Sequence, residues 1–81
     1  MRKHYILIWI DDPGFNAREK RASWVTLVAI LVKRAETTEG IITLGQNSWL
    51  LPRDSGLPFL AECIERARNN GLAAHTMFLD G

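Results

Sequence analysis

The residues from Tyr5 to Ile10 are apolar at every position, and three of the six are isoleucine. An unbroken run of β-branched and aromatic residues is typical of a strand that is buried on both faces. The run ends at Asp11-Asp12-Pro13-Gly14, where Pro fixes φ and Gly permits the positive φ of a sharp turn. The fold is therefore predicted to contain a central strand near the start of the chain, closed by a tight turn.

The stretch that follows has two alternative interpretations. Asn16, with Glu19 three residues later, resembles a capping box and predicts a helix from about Asn16 to Thr37. The run from Trp24 to Val32, however, is rich in β-branched residues that lose side-chain freedom in a helix. As a strand, it would pair with residues 41–51 in a long hairpin. We favour the helix, whose apolar face would comprise Trp24, Leu27, Val28, Leu31, Val32 and Ala35.

The second half of the chain is predicted to form a hairpin, a helix and a strand. Residues 41–44 and 49–51 are short strands joined by a turn at 45–48. For the helix, Ser55 is the predicted N-cap, Pro58 falls in the first turn and Gly71 ends it. Its predicted apolar stripe is Leu57, Leu60, Ala61, Ile64 and Ala67, with Glu62 and Arg66 as an i,i+4 pair. A closing strand is predicted from Leu72 to Leu79.

The order strand, helix, strand, strand, helix, strand indicates an α+β, ferredoxin-like two-layer sandwich with an antiparallel sheet. If Trp24 to Val32 is a strand, the alternative is a three-stranded β-meander followed by a helix and a strand. The ferredoxin-like plan puts both helices on one face and leaves the other face to be covered. Tyr5, Leu7, Trp9 and Trp49 are the predicted dimer interface on that face. Stacked nucleic-acid bases are an alternative cover for these aromatic side chains.

Length, charge and cysteine content restrict the class of protein. At 81 residues the chain has room for one hydrophobic core, so we expect a single domain over residues 1–81. A formal net charge of +1 excludes a strong overall electrostatic attraction to DNA or membranes. Cys63 is the only cysteine and cannot form an intramolecular disulfide. The apolar runs are too short for a signal peptide or a membrane span, so we expect a cytoplasmic protein without membrane contact.

Several of these features together resemble a known family. The first strand ends at Asp11, Pro13-Gly14 follows, and Asn47-Ser48 leads into the apolar residues 49–51 before a helix and a closing strand. This pattern, over most of the chain, resembles the CRISPR-associated Cas2-like ferredoxin-fold proteins. The resemblance implies a homodimer and metal-dependent phosphodiester cleavage, with Asp11 near its copy across a symmetry axis and Asp12 beside it. Many members are thought not to be nucleases, so family membership alone would not establish activity.

The candidate catalytic residues are Asp11 and Asp12. Two adjacent carboxylates can hold Mg²⁺, and two copies could form a site that neither chain has alone. Turn chemistry before Pro-Gly is the interpretation that we favour. His4 and His75 each lie alone on a strand without a carboxylate at ligand spacing, so we expect no metal there, and the ligands of any metal stay unknown. Cys63 is predicted to be a small core residue.

A basic cluster supplies the candidate nucleic-acid-binding residues, Arg18, Lys20, Arg21 and Arg53, because cations contact phosphates. Glu19 interrupts it, so a solvated helix face is the alternative. Two functional hypotheses remain. The first is a ferredoxin-like homodimer that binds a protein or nucleic-acid partner and needs no cofactor. The second is a Cas2-like nuclease using Asp11 of each chain, for which alone Mg²⁺ is expected.

Overall fold

The computed structural model describes residues 4–14 and 16–80. In these residues two helices and four strands follow one another in the order β-α-β-β-α-β. The strands are β1 (His4–Ile10), β2 (Ile42–Thr43), β3 (Ser48–Pro52) and β4 (Ala74–Asp80). The helices are α1 (Arg18–Glu36) and α2 (Leu57–Asn69). Residues 24–32 therefore lie in a helix, and the β-meander alternative is wrong.

The strands form one antiparallel sheet in the order β2-β3-β1-β4. Strand β1 lies in the centre, where Leu7 is opposite Leu50 on one side and Met77 on the other. This is the ferredoxin-like arrangement, so the predicted fold class is confirmed. Since side chains alternate along a strand, the register divides the sheet into one face that packs on the helices and one that does not.

The core lies between the sheet and the helices. Ile6, Ile8 and Ile10 of β1 are fully buried there. The other buried hydrophobic residues are Trp24, Leu27, Val28, Leu31 and Ala35 of α1, Trp49 and Leu51 of β3, and Phe59, Cys63 and Ala67 of α2. Five of the six residues predicted for the apolar face of α1 are buried, and Val32 is half-buried. The α1 stripe and the core position of Cys63 are confirmed.

Helix α1 begins differently from the prediction. Its N-cap is Ala17, which forms no side-chain capping hydrogen bond, so the capping box of Asn16 and Glu19 is wrong. The turn before α1 is instead tied to the helix by Asp12, whose carboxylate accepts two hydrogen bonds from Nη1 of Arg21. A contact between two residues nine positions apart in the chain thus replaces the local cap.

Helix α2 is rotated relative to the predicted stripe. Its N-cap is Gly56, not Ser55, and a Cβ at Gly56 would lie 2.5 Å from the carbonyl oxygen of Pro52. Only glycine fits this close approach of helix to strand. Starting there, the helix turns Phe59 and Cys63 inward. The predicted stripe of Leu57, Leu60, Ala61, Ile64 and Ala67 is therefore wrong in part: only Ala67 is buried, Leu60 is half-buried, and Leu57, Ala61 and Ile64 are exposed.

Candidate functional site: the helix-free face of the sheet

The face of the sheet that bears no helix is apolar across its width. We call it the helix-free face, and define it by the residues that share the outward side of the strands: Tyr5, Leu7 and Trp9 of β1, Ile42 of β2, Ser48, Leu50 and Pro52 of β3, and His75, Met77 and Leu79 of β4. Met77 is 50% exposed and Ile42 is 51% exposed. Leu7, at the centre, is half-buried between its cross-strand neighbours.

The flat extent of this face matches the largest apolar patches found on soluble monomers. Strand β1 has seven residues, which at about 3.3 Å each span roughly 20 Å. Four strands about 4.8 Å apart add a width of roughly 14 Å, for a flat area of about 300 Å². Apolar patches of about 300–600 Å² are among the largest on soluble monomers and often mark binding surfaces.

Trp49 does not belong to this face. Its side chain points toward the helices, is fully buried, and packs edge-on against Phe59 with ring centroids 5.8 Å apart. Placing Trp49 with Tyr5, Leu7 and Trp9 was wrong, because its register partner is Ile8 and both side chains point into the core. The alternative cover, stacked nucleic-acid bases, thereby loses one of its three aromatic side chains.

One end of the helix-free face carries a polar corner formed by Asp11, His75 and Trp9. Nε2 of His75 lies 2.7 Å from Oδ2 of Asp11, and both side chains are about half exposed. The imidazole also stacks on the Trp9 indole, with centroids 5.2 Å apart and planes 22° from parallel. An ionised carboxylate only accepts, so Nε2 is the donor of this hydrogen bond. The prediction that His75 lies without a neighbouring carboxylate was wrong.

Asp12 has a different role from Asp11. One of its carboxylate oxygens accepts the N–H of Gly14 at 2.8 Å, and both oxygens accept hydrogen bonds from Arg21 at 2.6 and 2.7 Å. Donation by Gly14, followed by that of Arg21, holds the pKa of Asp12 below its ordinary value. The turn is therefore organised by Asp12, in agreement with turn chemistry, while Asp11 points to the helix-free face.

The described residues of one chain do not by themselves form a metal site. Within residues 4–14 and 16–80, no three His, Cys, Asp or Glu side chains are grouped for metal binding. Asp12 pairs with Arg21 and Asp11 with His75, so the two adjacent carboxylates have different partners. Asp11 and His75 would supply two ligands of a metal, and their oxygen and imidazole donors suit Mn²⁺ or Zn²⁺ better than Mg²⁺. A complete site would need the same pair from a second copy.

The four candidate nucleic-acid-binding residues do not form one patch. Arg21 pairs with Asp12 at one end of β1. The guanidinium of Arg53 lies 5.5 Å from the Phe78 ring, and its backbone N–H bonds to His4 at the opposite end. These ends are roughly 20 Å apart. Arg18 and Lys20 are exposed on the first turns of α1, near Arg21.

Some of this arrangement had a signal in the sequence. Tyr5, Leu7 and Trp9 alternate with three isoleucines, and this alternation identifies the outward face. The pairing of Asp11 with His75 had none, because the two residues are 64 positions apart and meet only through the β1–β4 register.

Comparisons with known proteins add no relative. No protein-family model, curated protein or solved structure matches the chain. Neither helix of the described chain is both long and apolar enough to cross a membrane. The functional interpretation consequently rests on the helix-free face and its polar corner.

Proposed function

We propose that the chain is a homodimeric binding protein in which the helix-free faces of two copies pack on each other. The observation that supports this is the composition of that face: seven of its ten residues are large apolar or aromatic side chains. Packing two such faces would remove these side chains from water in both copies. Their burial would stabilise the dimer by about 25 cal/mol per Å² of apolar area.

The charge of the helix-free face favours a second copy over nucleic acid as the partner that covers it. Among the ten residues of the helix-free face there is no Lys or Arg, so phosphates would find no cation there. The sequence of helices α1 and α2, by contrast, contains seven Lys and Arg against four Glu. In a face-to-face dimer both helical layers stay outward. We infer that a nucleic-acid or acidic protein partner would bind to the helices.

The dimer is tested with a charge at the centre of the face. Leu7→Glu should weaken the dimer more than the single chain, because the half-buried side chain reaches water in one chain, whereas the dimer buries two unpaired carboxylates. We expect dissociation to be favoured at least about a hundredfold, since burying a charge costs several kcal/mol. Val25→Glu, on the exposed side of α1, is the matched control. Light scattering after gel filtration should show a lower mass for Leu7→Glu only, and equal masses for both variants would contradict the proposal.

A second candidate function is metal-dependent nuclease activity, favoured by one observation. Asp11 and His75 form a half-exposed pair at the rim of the proposed interface, where the pairs of two copies can approach. The protein should be incubated with RNA and DNA and with Mg²⁺ or Mn²⁺, beside Asp11→Ala. Asp54→Ala, in the exposed turn before α2, is the control. Cleavage lost only in Asp11→Ala supports the nuclease; no cleavage, or equal cleavage by Asp11→Ala, excludes it.

A further inference from the structure

Strand β4 is the longer of the two edge strands of the sheet. The order β2-β3-β1-β4 leaves β2 and β4 each with a neighbour on one side only. β2 has two residues, whereas β4 has seven. An edge strand presents a row of backbone groups to which another strand can add.

The backbone register shows which groups of β4 point away from the sheet. The N–H of Asp11 donates to the carbonyl of Ala73 at 2.9 Å, while the N–H of Ile10 donates to Asn47 on the opposite side of β1. Because hydrogen-bonded and non-hydrogen-bonded pairs alternate, Ala74, Thr76 and Phe78 direct their N–H and C=O groups outward. Within the described part of the chain, those outward groups have no hydrogen-bond partner.

The middle of this edge lacks the features that usually protect an edge strand, and the charges near it are Asp80 at its end and Arg53 beside the Phe78 ring. Residues 74–79 contain no Lys, Arg, Glu or Pro, and the β1–β4 register runs without a bulge. Three consecutive apolar side chains are exposed, with Phe78 at 65%, Met77 at 50% and Leu79 at 38%. Met77 and Leu79 belong to the helix-free face, and Phe78 lies on the other side of the same edge. An incoming strand would therefore gain apolar contacts on both faces.

We propose that β4 of a second copy pairs with this edge, antiparallel and about a two-fold axis at Met77. The outward residues are spaced by two, so this register joins Thr76 to Phe78 of the second copy and the reverse. Each Met77 then faces its own copy, and Leu79 lies opposite His75 of the second copy. No like charges meet between residues 74 and 79. A second copy brings the same exposed apolar residues, Met77, Phe78 and Leu79, to the edge that exposes them, which favours a second copy over a polar segment.

The pairing extends the proposed dimer without competing with it. Edge pairing uses backbone groups of β4, whereas face packing uses the side chains of the helix-free face. Two paired sheets would form one eight-stranded sheet with a continuous apolar face, and two such sheets can stack. The structure therefore assigns a dimer of dimers, in which four chains are joined by two kinds of two-fold contact.

Thr76→Pro tests the edge with little effect on the single chain. The Thr76 N–H points outward, so proline removes no hydrogen bond to β1, and edge strands tolerate proline. Thr76→Lys is a second variant, which adds a charge that protects an edge. Thr26→Lys, on the exposed face of α1, is its control. Circular dichroism checks that each variant folds, and sedimentation gives the mass.

We expect four chains for the wild type and for Thr26→Lys, and two for either Thr76 variant. Leu7→Glu should leave two chains joined at the edge, and Leu7→Glu with Thr76→Pro should leave one. The amides of Thr76 and Phe78 should exchange slowly in the wild type and faster in Thr76→Lys. A wild-type mass of two chains that Leu7→Glu lowers and Thr76→Pro does not would overturn the edge proposal while preserving the face dimer. Fast exchange of the Thr76 and Phe78 amides in that case would show that the edge is unpaired.

Discussion

Oδ2 of Asp11 and Nε2 of His75 lie 2.7 Å apart, although 64 positions separate the two residues in the chain. The β1–β4 register creates this contact, because it places Trp9 opposite His75 and brings Asp11 beside the start of β4. The pair stands at the rim of the helix-free face, with the Trp9 indole stacked on the imidazole. It is the polar boundary of an otherwise apolar surface.

The Asp11–His75 contact is expected to contribute little to stability, because both side chains are about half exposed to water. Exposed ion pairs and hydrogen bonds are worth about 0.2–1 kcal/mol. A double-mutant cycle of Asp11→Ala and His75→Ala, followed by urea unfolding at low protein concentration, measures the coupling. A coupling above about 2 kcal/mol, the range of buried pairs, would contradict this exposed geometry.

The ionised Asp12 in the turn should make the stability of the protein depend on pH in the acidic range. Donation by Gly14 and Arg21 lowers the pKa of Asp12 from 3.8, so the unfolded chain takes up this proton at a higher pH than the folded one. The stabilisation is therefore complete above the ordinary pKa and is lost as pH falls through the lower folded value. Asp12→Ala should be less stable than the wild type at pH 6, and the difference should shrink as the solution is acidified.

Thermal unfolding at a series of pH values checks this dependence, with Asp54→Ala as an exposed control. A difference between Asp12→Ala and the wild type that stays constant down to strongly acidic solution would show that the Asp12 charge has no part in it.

Much of the fold followed from local patterns, whereas the details that failed depend on contacts between distant residues. The apolar periodicity of α1 outweighed its β-branched content, since Trp24 and Leu31 pack on the sheet. The orientation of α2 has no local signal, because it is set by Gly56, where a Cβ would lie 2.5 Å from the Pro52 carbonyl oxygen. The face on which Trp49 lies has no local signal, because strand register cannot be deduced from a short hairpin alone.

The thiol of Cys63 should be inert in the folded protein. Burial against the sheet raises its pKa to about 12, so almost no thiolate exists near neutral pH. A thiol reagent at pH 8 should modify Cys63 only after denaturant is added. Cys63→Ser should lower the free energy of unfolding by about 1–3 kcal/mol, because it buries a hydroxyl where the core offers an apolar environment. Full modification of the native protein within minutes would contradict the buried position.

Trp49 should be among the most sensitive core positions. It is fully buried beside Phe59, and truncating a buried tryptophan to alanine costs about 3–5 kcal/mol. Trp49→Phe should cost less, because the indole N–H is buried without a hydrogen-bond partner in the described structure. Leu57→Ala, on the exposed side of α2, is the control and should change stability by about 0.5 kcal/mol or less. Urea unfolding compares the three, and a nearly neutral Trp49→Ala would contradict the core assignment.

Whether a second copy covers the helix-free face can be observed directly at Leu7. An isotope-filtered NMR experiment on a mixture of labelled and unlabelled protein detects only contacts between copies. We expect the Leu7 methyl groups to show intermolecular contacts with residues of the same face, such as Trp9, Leu50 or Met77. Leu7 methyl groups that contact no unlabelled copy, in a sample at millimolar concentration, would contradict the proposed dimer.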